Sequence, residues 1–176
     1  MGISQIQLRR FNPSRDLSEL PETLIPFIHK LEGEFTQVVN DFVAQVVGRI
    51  TKKVAVTCEF GPSVGSVYQI LLLFWYGKSD PNDEMPYIDC DITFKFYSSY
   101  SLEQDPDDHS ILFGSISTMC LFIESHFPER RVLVDGNPHL LQDLEEVWSD
   151  MKRFMPNFVE PISEFINENG IYDLDT

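Results

Sequence analysis

From Leu24 to Val46 the chain carries an apolar side chain at every third or fourth position: Leu24, Phe27, Ile28, Leu31, Phe35, Val38, Val39, Phe42, Val43 and Val46. At about 3.6 residues per turn this spacing gathers them into one stripe, so the segment predicts a single long amphipathic helix. Pro26 falls in its first turns, where a missing N–H is tolerated or the chain kinks. The helix is expected to end between Gly48 and Thr51. A helix of this kind is stable only when its stripe lies on another apolar surface, so the rest of the chain must supply one.

Three alternating runs supply it. Val54, Val56, Cys58 and Phe60 alternate with Lys53, Ala55, Thr57 and Glu59, giving one apolar and one mixed face. Gly61-Pro62-Ser63-Val64-Gly65 has the length of a hairpin turn, and it leads into Ser66 to Tyr76, where both alternating sets are largely apolar, as in a central strand. After a polar connection over 78–86, Ile88, Cys90, Ile92, Phe94 and Phe96 alternate with Asp89, Asp91, Thr93, Lys95 and Tyr97. The expected product is an antiparallel meander with one core face and one partly solvated face.

Residues 98–110 read as an exposed, mobile polar connection. The run 111–127, with Ile116, Met119, Cys120 and Ile123 at helical spacing, predicts a helix stopped by Pro128, although Ile111-Leu112-Phe113 also reads as the end of a strand. Arg131 to Gly136 predicts a short strand and a turn. Asn137 as N-cap and Pro138 as first helical residue open a further helix through Leu140, Leu141, Leu144, Val147, Trp148, Met151 and Phe154. Pro156 breaks it, and Phe158, Val159, Ile162, Phe165 and Ile166 form a last helix ended by Gly170. The expected fold is therefore α+β: a long N-terminal helix, a three- to four-stranded antiparallel meander sheet, and C-terminal helices packed on one face. One domain over 21–170 is flanked by an extended basic arm, 1–20, and an acidic tail, 171–176. The order helix, three strands, helix, strand, helix broadly resembles that of the small acidic chaperones of type III secretion. That resemblance implies a dedicated chaperone for a secreted protein as one function.

Charge divides the chain unevenly. Residues 1–60 carry seven basic and seven acidic side chains, whereas 61–176 carry six basic and 21 acidic, so the whole net charge of −15 arises after residue 60. Such a field favours a basic partner and disfavours nucleic acid and anionic membrane. Arg9, Arg10 and Arg15 in the arm then read as a tether to the protein's own acidic body or to a second copy, that is, a possible homodimer. Three cysteines, Cys58, Cys90 and Cys120, form neither a disulfide framework nor a zinc pattern. With no signal-peptide pattern and no long apolar run, a reducing, cytoplasmic setting is the expectation.

Candidate chemistry is sparse. Asp89 and Asp91 share one side of a strand about 7 Å apart, close enough to hold a hard cation, or else simply solvated with Lys95 as partial counter-charge. Asp105, Asp107 and Asp108 concentrate carboxylates beside His109, but at the wrong spacing for a calcium loop. His29, His109, His126 and His139 stand alone, and Cys58 and Cys90 fall on apolar strand faces as small hydrophobes. Gly61 to Gly65 lacks the helix and Lys of a phosphate loop, and no other catalytic motif occurs. Tyr87 and Tyr97 share the parity of Asp89 and Asp91, so that face combines rings and carboxylates, the pairing that holds Arg and Lys.

The expected function is accordingly a non-catalytic acidic domain that engages a basic protein, as an immunity protein, an antitoxin-like inhibitor or a dedicated chaperone. It uses Asp89, Asp91, Tyr87, Tyr97, Asp105, Asp107 and Asp108, with no cofactor and no metal. The alternatives are a metal-dependent hydrolase built on the Asp89/Asp91 pair and a self-associating scaffold.

Overall fold

The apolar stripe becomes helix α1, Ile25–Val47, whose buried residues Phe27, Ile28, Leu31, Phe35, Val39, Phe42, Val43 and Val46 all belong to it. The computed structural model describes residues 6–11, 22–63, 66–77, 86–97, 111–118, 127 and 130–174. Among these, six strands form one sheet: β1 (Gln7–Arg10), β2 (Ala55–Ser63), β3 (Ser66–Trp75), β4 (Tyr87–Tyr97), β5 (Ile111–Ser117) and β6 (Arg130–Leu133). They lie side by side in chain order. Every neighbouring pair from β2 to β6 is antiparallel, and β1 joins the β2 edge in parallel. Helices α2 (Leu140–Phe154) and α3 (Val159–Asn169), joined by a 3-10 turn at Met155–Phe158, complete the α+β fold.

Even-numbered strand residues meet the helices. Phe27 of α1 packs on Phe94 with ring centroids 5.2 Å apart, Phe35 on Phe60 at 4.9 Å, and Trp148 of α2 on Phe94 at 6.2 Å. Cys58, Ile70, Leu72, Phe74, Cys90 and Ile92 lie buried between them. Removing such side chains from water, at about 1.5–3 kcal/mol each, fastens the helices to this face.

The sheet has six strands rather than three to four, because Gln7–Arg10 and Ile111–Ser117 join it. The second of these corrects the expected helix over 111–127. Its helical spacing rested on apolar residues alone, whereas in the ladder Gly114 and Ile116 face the helices opposite Phe94 and Ile92, and Ser115 and Ser117 fall between them. Gly114 has a specific role. A Cβ there would meet Val147 Cγ1 at 2.6 Å and Met151 Sδ at 3.1 Å, so its missing side chain lets α2 approach the sheet. Residues 119–126, the rest of that expected helix, and 98–110 lie outside the described residues.

Two smaller differences concern ends. Asn137 does not cap α2 directly, since the helix begins at Leu140; its Oδ1 accepts the His139 N–H at 2.9 Å and its Nδ2 donates to the Leu133 carbonyl and to Asp143. The side chain thus shapes the β6–α2 turn, the alternative use of Asn that competes with capping. The β2–β3 hairpin is tighter than a five-residue turn, for Ser63 already pairs with Ser66. At the other end, the Lys53 N–H donates to the Tyr172 carbonyl at 2.8 Å and the Leu174 N–H to the Thr51 carbonyl at 3.0 Å. Residues 172–174 are therefore stitched to the exit of α1. No helix among the described residues is long and apolar enough to cross a membrane.

Candidate functional site

Odd-numbered strand residues occupy the opposite face, where, among the described residues, none of the ring contacts from α1, α2 or α3 falls. The strand register orders them into rows. Ala55, Trp75 and Tyr87 form one row, Thr57, Leu73 and Asp89 the next, Glu59, Leu71 and Asp91 a third, and Gly61, Gln69 and Thr93 a fourth. Alternation by two residues thus puts Tyr87, Asp89 and Asp91 on one face with partners from β2 and β3.

Trp75 and Tyr87 face each other with ring centroids 5.0 Å apart, and the Trp75 indole N–H donates to Thr57 Oγ1 at 3.1 Å. Tyr87 is 39% exposed. A rigid, accessible aromatic pair therefore closes one end of the face. Next to it Asp89 is buried, only 8% exposed, rather than solvated.

Asp91 is half-buried and held by two side chains through three hydrogen bonds. Gln69 Nε2 donates to both of its oxygens, at 2.9 and 3.0 Å, and Thr93 Oγ1 donates to Oδ1 at 2.6 Å. Ser63 Oγ in turn donates to Gln69 Oε1 at 3.0 Å, which fixes the amide. These donors fill three of the roughly four acceptor sites of a carboxylate, leaving space for about one further N–H rather than for a chelated cation. Among the described residues no group of three His, Cys, Asp or Glu is placed to hold a metal ion.

The remaining candidates separate. Tyr97 occupies the last register position of β4, opposite Ile111, and its side chain lies outside what is described. Asp105, Asp107, Asp108 and His109 lie outside the described residues, as do His126 and Cys120. His29 and His139 are exposed and far apart in the chain, on α1 and before α2. Cys58 and Cys90 are fully buried on the even-numbered face in one row with Leu72. Burial pushes the Cys58 thiol up to about 12 and the Cys90 thiol upward as well, so neither supplies a thiolate near neutral pH.

Trp75, Gln69, Glu59 and Thr57 belong to the site but did not emerge from the sequence. Both alternating sets of β3 are apolar, so the strand itself does not say which set joins Asp91; that follows only from pairing Leu71 with Asp91. Comparison with family models, with curated proteins and with solved structures gave no match.

Proposed function

We propose that the odd-numbered sheet face is a binding surface for a basic protein, and that the chain acts as an acidic protein-binding domain, an inhibitor of the immunity or antitoxin type or a dedicated chaperone. One observation carries this reading: the accessible Trp75–Tyr87 pair stands beside two aligned carboxylates, Asp89 and Asp91, on a face that none of the helices' ring contacts reaches among the described residues. Rings attract cations through their faces while carboxylates pair with them, and the partly exposed Leu71, opposite Asp91, supplies apolar contact. Asp91, fixed by Gln69 and Thr93, is pre-organised to accept one N–H from an Arg or Lys without an ordering cost.

The test is a titration with an arginine-rich peptide, followed through the Trp75 indole N–H resonance. That resonance is expected to shift, with affinity falling steeply between low and moderate salt. Tyr87→Ala and Asp91→Asn should each weaken binding about tenfold, the scale of a central contact at an interface. An unmoved indole signal, or binding indifferent to salt, would sink the reading.

A further inference from the structure

The β2 edge is occupied by a strand poorly suited to keep it. β2 runs for nine residues, Ala55–Ser63, but β1 pairs only with Thr57 to Phe60, and in parallel, in a sheet that is otherwise antiparallel. All four β1 residues are exposed, Leu8 by 50%. Beyond the ladder β1 has a backbone bond from the Phe11 N–H to the Phe60 carbonyl at 3.0 Å, and the contacts of Arg10. Arg10 lies 3.3 Å from Glu32 of α1 and 5.0 Å from the Phe60 ring centroid, while Arg9 stands opposite Glu59 on the odd-numbered face. Exposed pairs of this kind hold weakly.

Beneath them lies an unmet polar group. The Tyr68 hydroxyl is fully buried and has no hydrogen-bond partner in bonding geometry among the described residues. Burial first, and then the charge of nearby Glu32, push its pKa upward, and Arg10 opposes this.

We propose that the β2 edge is where an extended, arginine-bearing segment of the basic partner adds as a strand, and that β1 is an internal stand-in which this segment displaces. This rests on the reading of the odd-numbered face as the surface for a basic partner. The chain's own arm shows the chemistry that the edge takes: one Arg toward Glu59, the next toward Glu32 and Phe60. A partner strand running antiparallel could pair along Ala55 to Phe60, short of the irregularity at Gly61 to Ser63 and of Pro62, which has no N–H to donate; that is two residues more than the parallel β1 engages, with a slightly more stable pairing for each. It would also continue the odd-numbered face outward past Thr57 and Glu59, beside Trp75.

The test uses the full chain and a fluorescein-labelled peptide with the sequence of residues 6–11, read by fluorescence anisotropy. Arg10→Ala frees the edge from its clamp and should bind the peptide about tenfold more tightly than the unsubstituted chain, because apparent affinity follows the fraction of molecules with an open edge. Leu8→Cys places a thiol opposite Cys58 in the register, so that oxidation locks β1 in place. The oxidised form, with the link from the introduced thiol to Cys58 verified by mass spectrometry, should lose the peptide and regain it on reduction. If it binds as tightly oxidised as reduced, strand displacement is overturned, while salt-sensitive binding in that same form leaves the basic-partner reading standing. A peptide with Gln in place of both Arg that binds Arg10→Ala equally well overturns the basic character of the occupant. Dimerisation of Arg10→Ala in sedimentation equilibrium overturns the partner in favour of the arm of a second copy.

Discussion

The two faces of the sheet are built from the same strands by simple alternation, yet they are opposite kinds of surface. The even-numbered face is dry: Ile70, Leu72, Phe74, Cys90, Ile92 and Phe94 lie under three helices with almost no exposure. The odd-numbered face carries Glu59, with Gln69, Asp91 and Thr93 joined by directed hydrogen bonds, and Trp75 and Tyr87 at one end. A face needed only for solubility would scatter charges over solvent. Here Leu73, Asp89 and Thr93 are themselves buried, Asp91 is held by directed hydrogen bonds, and Tyr87 stays 39% exposed, the ordered arrangement on which the proposed binding reading rests. Stability should therefore be concentrated on one face and binding on the other.

The largest effect that would break this contrast is in the core. Phe94→Ala removes a ring packed against both α1 and α2 and is expected to cost about 3–5 kcal/mol in urea unfolding, whereas Trp75→Ala should cost less than half as much while abolishing binding of a fluorescein-labelled arginine-rich peptide read by anisotropy. Equal losses would mean that both faces are core. Next, Gly114→Ala drives a methyl group into Val147 and should cost about 1–3 kcal/mol, while Ser115→Ala, one residue on and facing away, should stay within about 0.5 kcal/mol. A silent Gly114→Ala would show that α2 is not held as closely as the contact implies.

The smallest effect concerns a charge within the helix layer. Burial alone would raise the Glu34 carboxyl, but the Trp148 indole N–H and Lys152 both donate to it, and with Lys30 they hold its pKa below the ordinary value. A carboxylate with a lowered folded-state pKa stabilises above its unfolded value, and that contribution is lost as pH falls through the folded one. Glu34→Gln should thus be less stable than the parent at pH 7, with the gap closing below about pH 4.5 in thermal melts, since the amide can still accept from Trp148. A gap independent of pH would assign the effect to packing instead of charge.

Much of the scaffold was legible because its signals are local. The α1 stripe, the alternation around Cys58 and Cys90 and the break at Pro156 each report a periodicity that side-chain burial imposes on a short segment. The same alternation already placed Asp89, Asp91 and Tyr87 on one side. The failures share a cause. Ile111–Ser117 and Gln7–Arg10 are too short or too ambiguous to declare themselves, and become strands because Phe94 meets Gly114 and Cys58 meets Leu8 across the ladder. The burial of Asp89, expected on a solvated face, likewise depends on what surrounds it and not on its neighbours in sequence.

The amino-acid order by itself determined the α+β class, the long helix, the three alternating strands and the acidic excess, since these depend on spacing and composition alone. Tertiary structure decided that the sheet has six strands, that its helices cover the even-numbered face, that Trp75 and Gln69 join Asp91, and that the basic arm occupies the β2 edge in parallel. Those outcomes rest on pairings between residues distant in the chain, where many registers satisfy the same local pattern and only simultaneous burial of the whole core selects one.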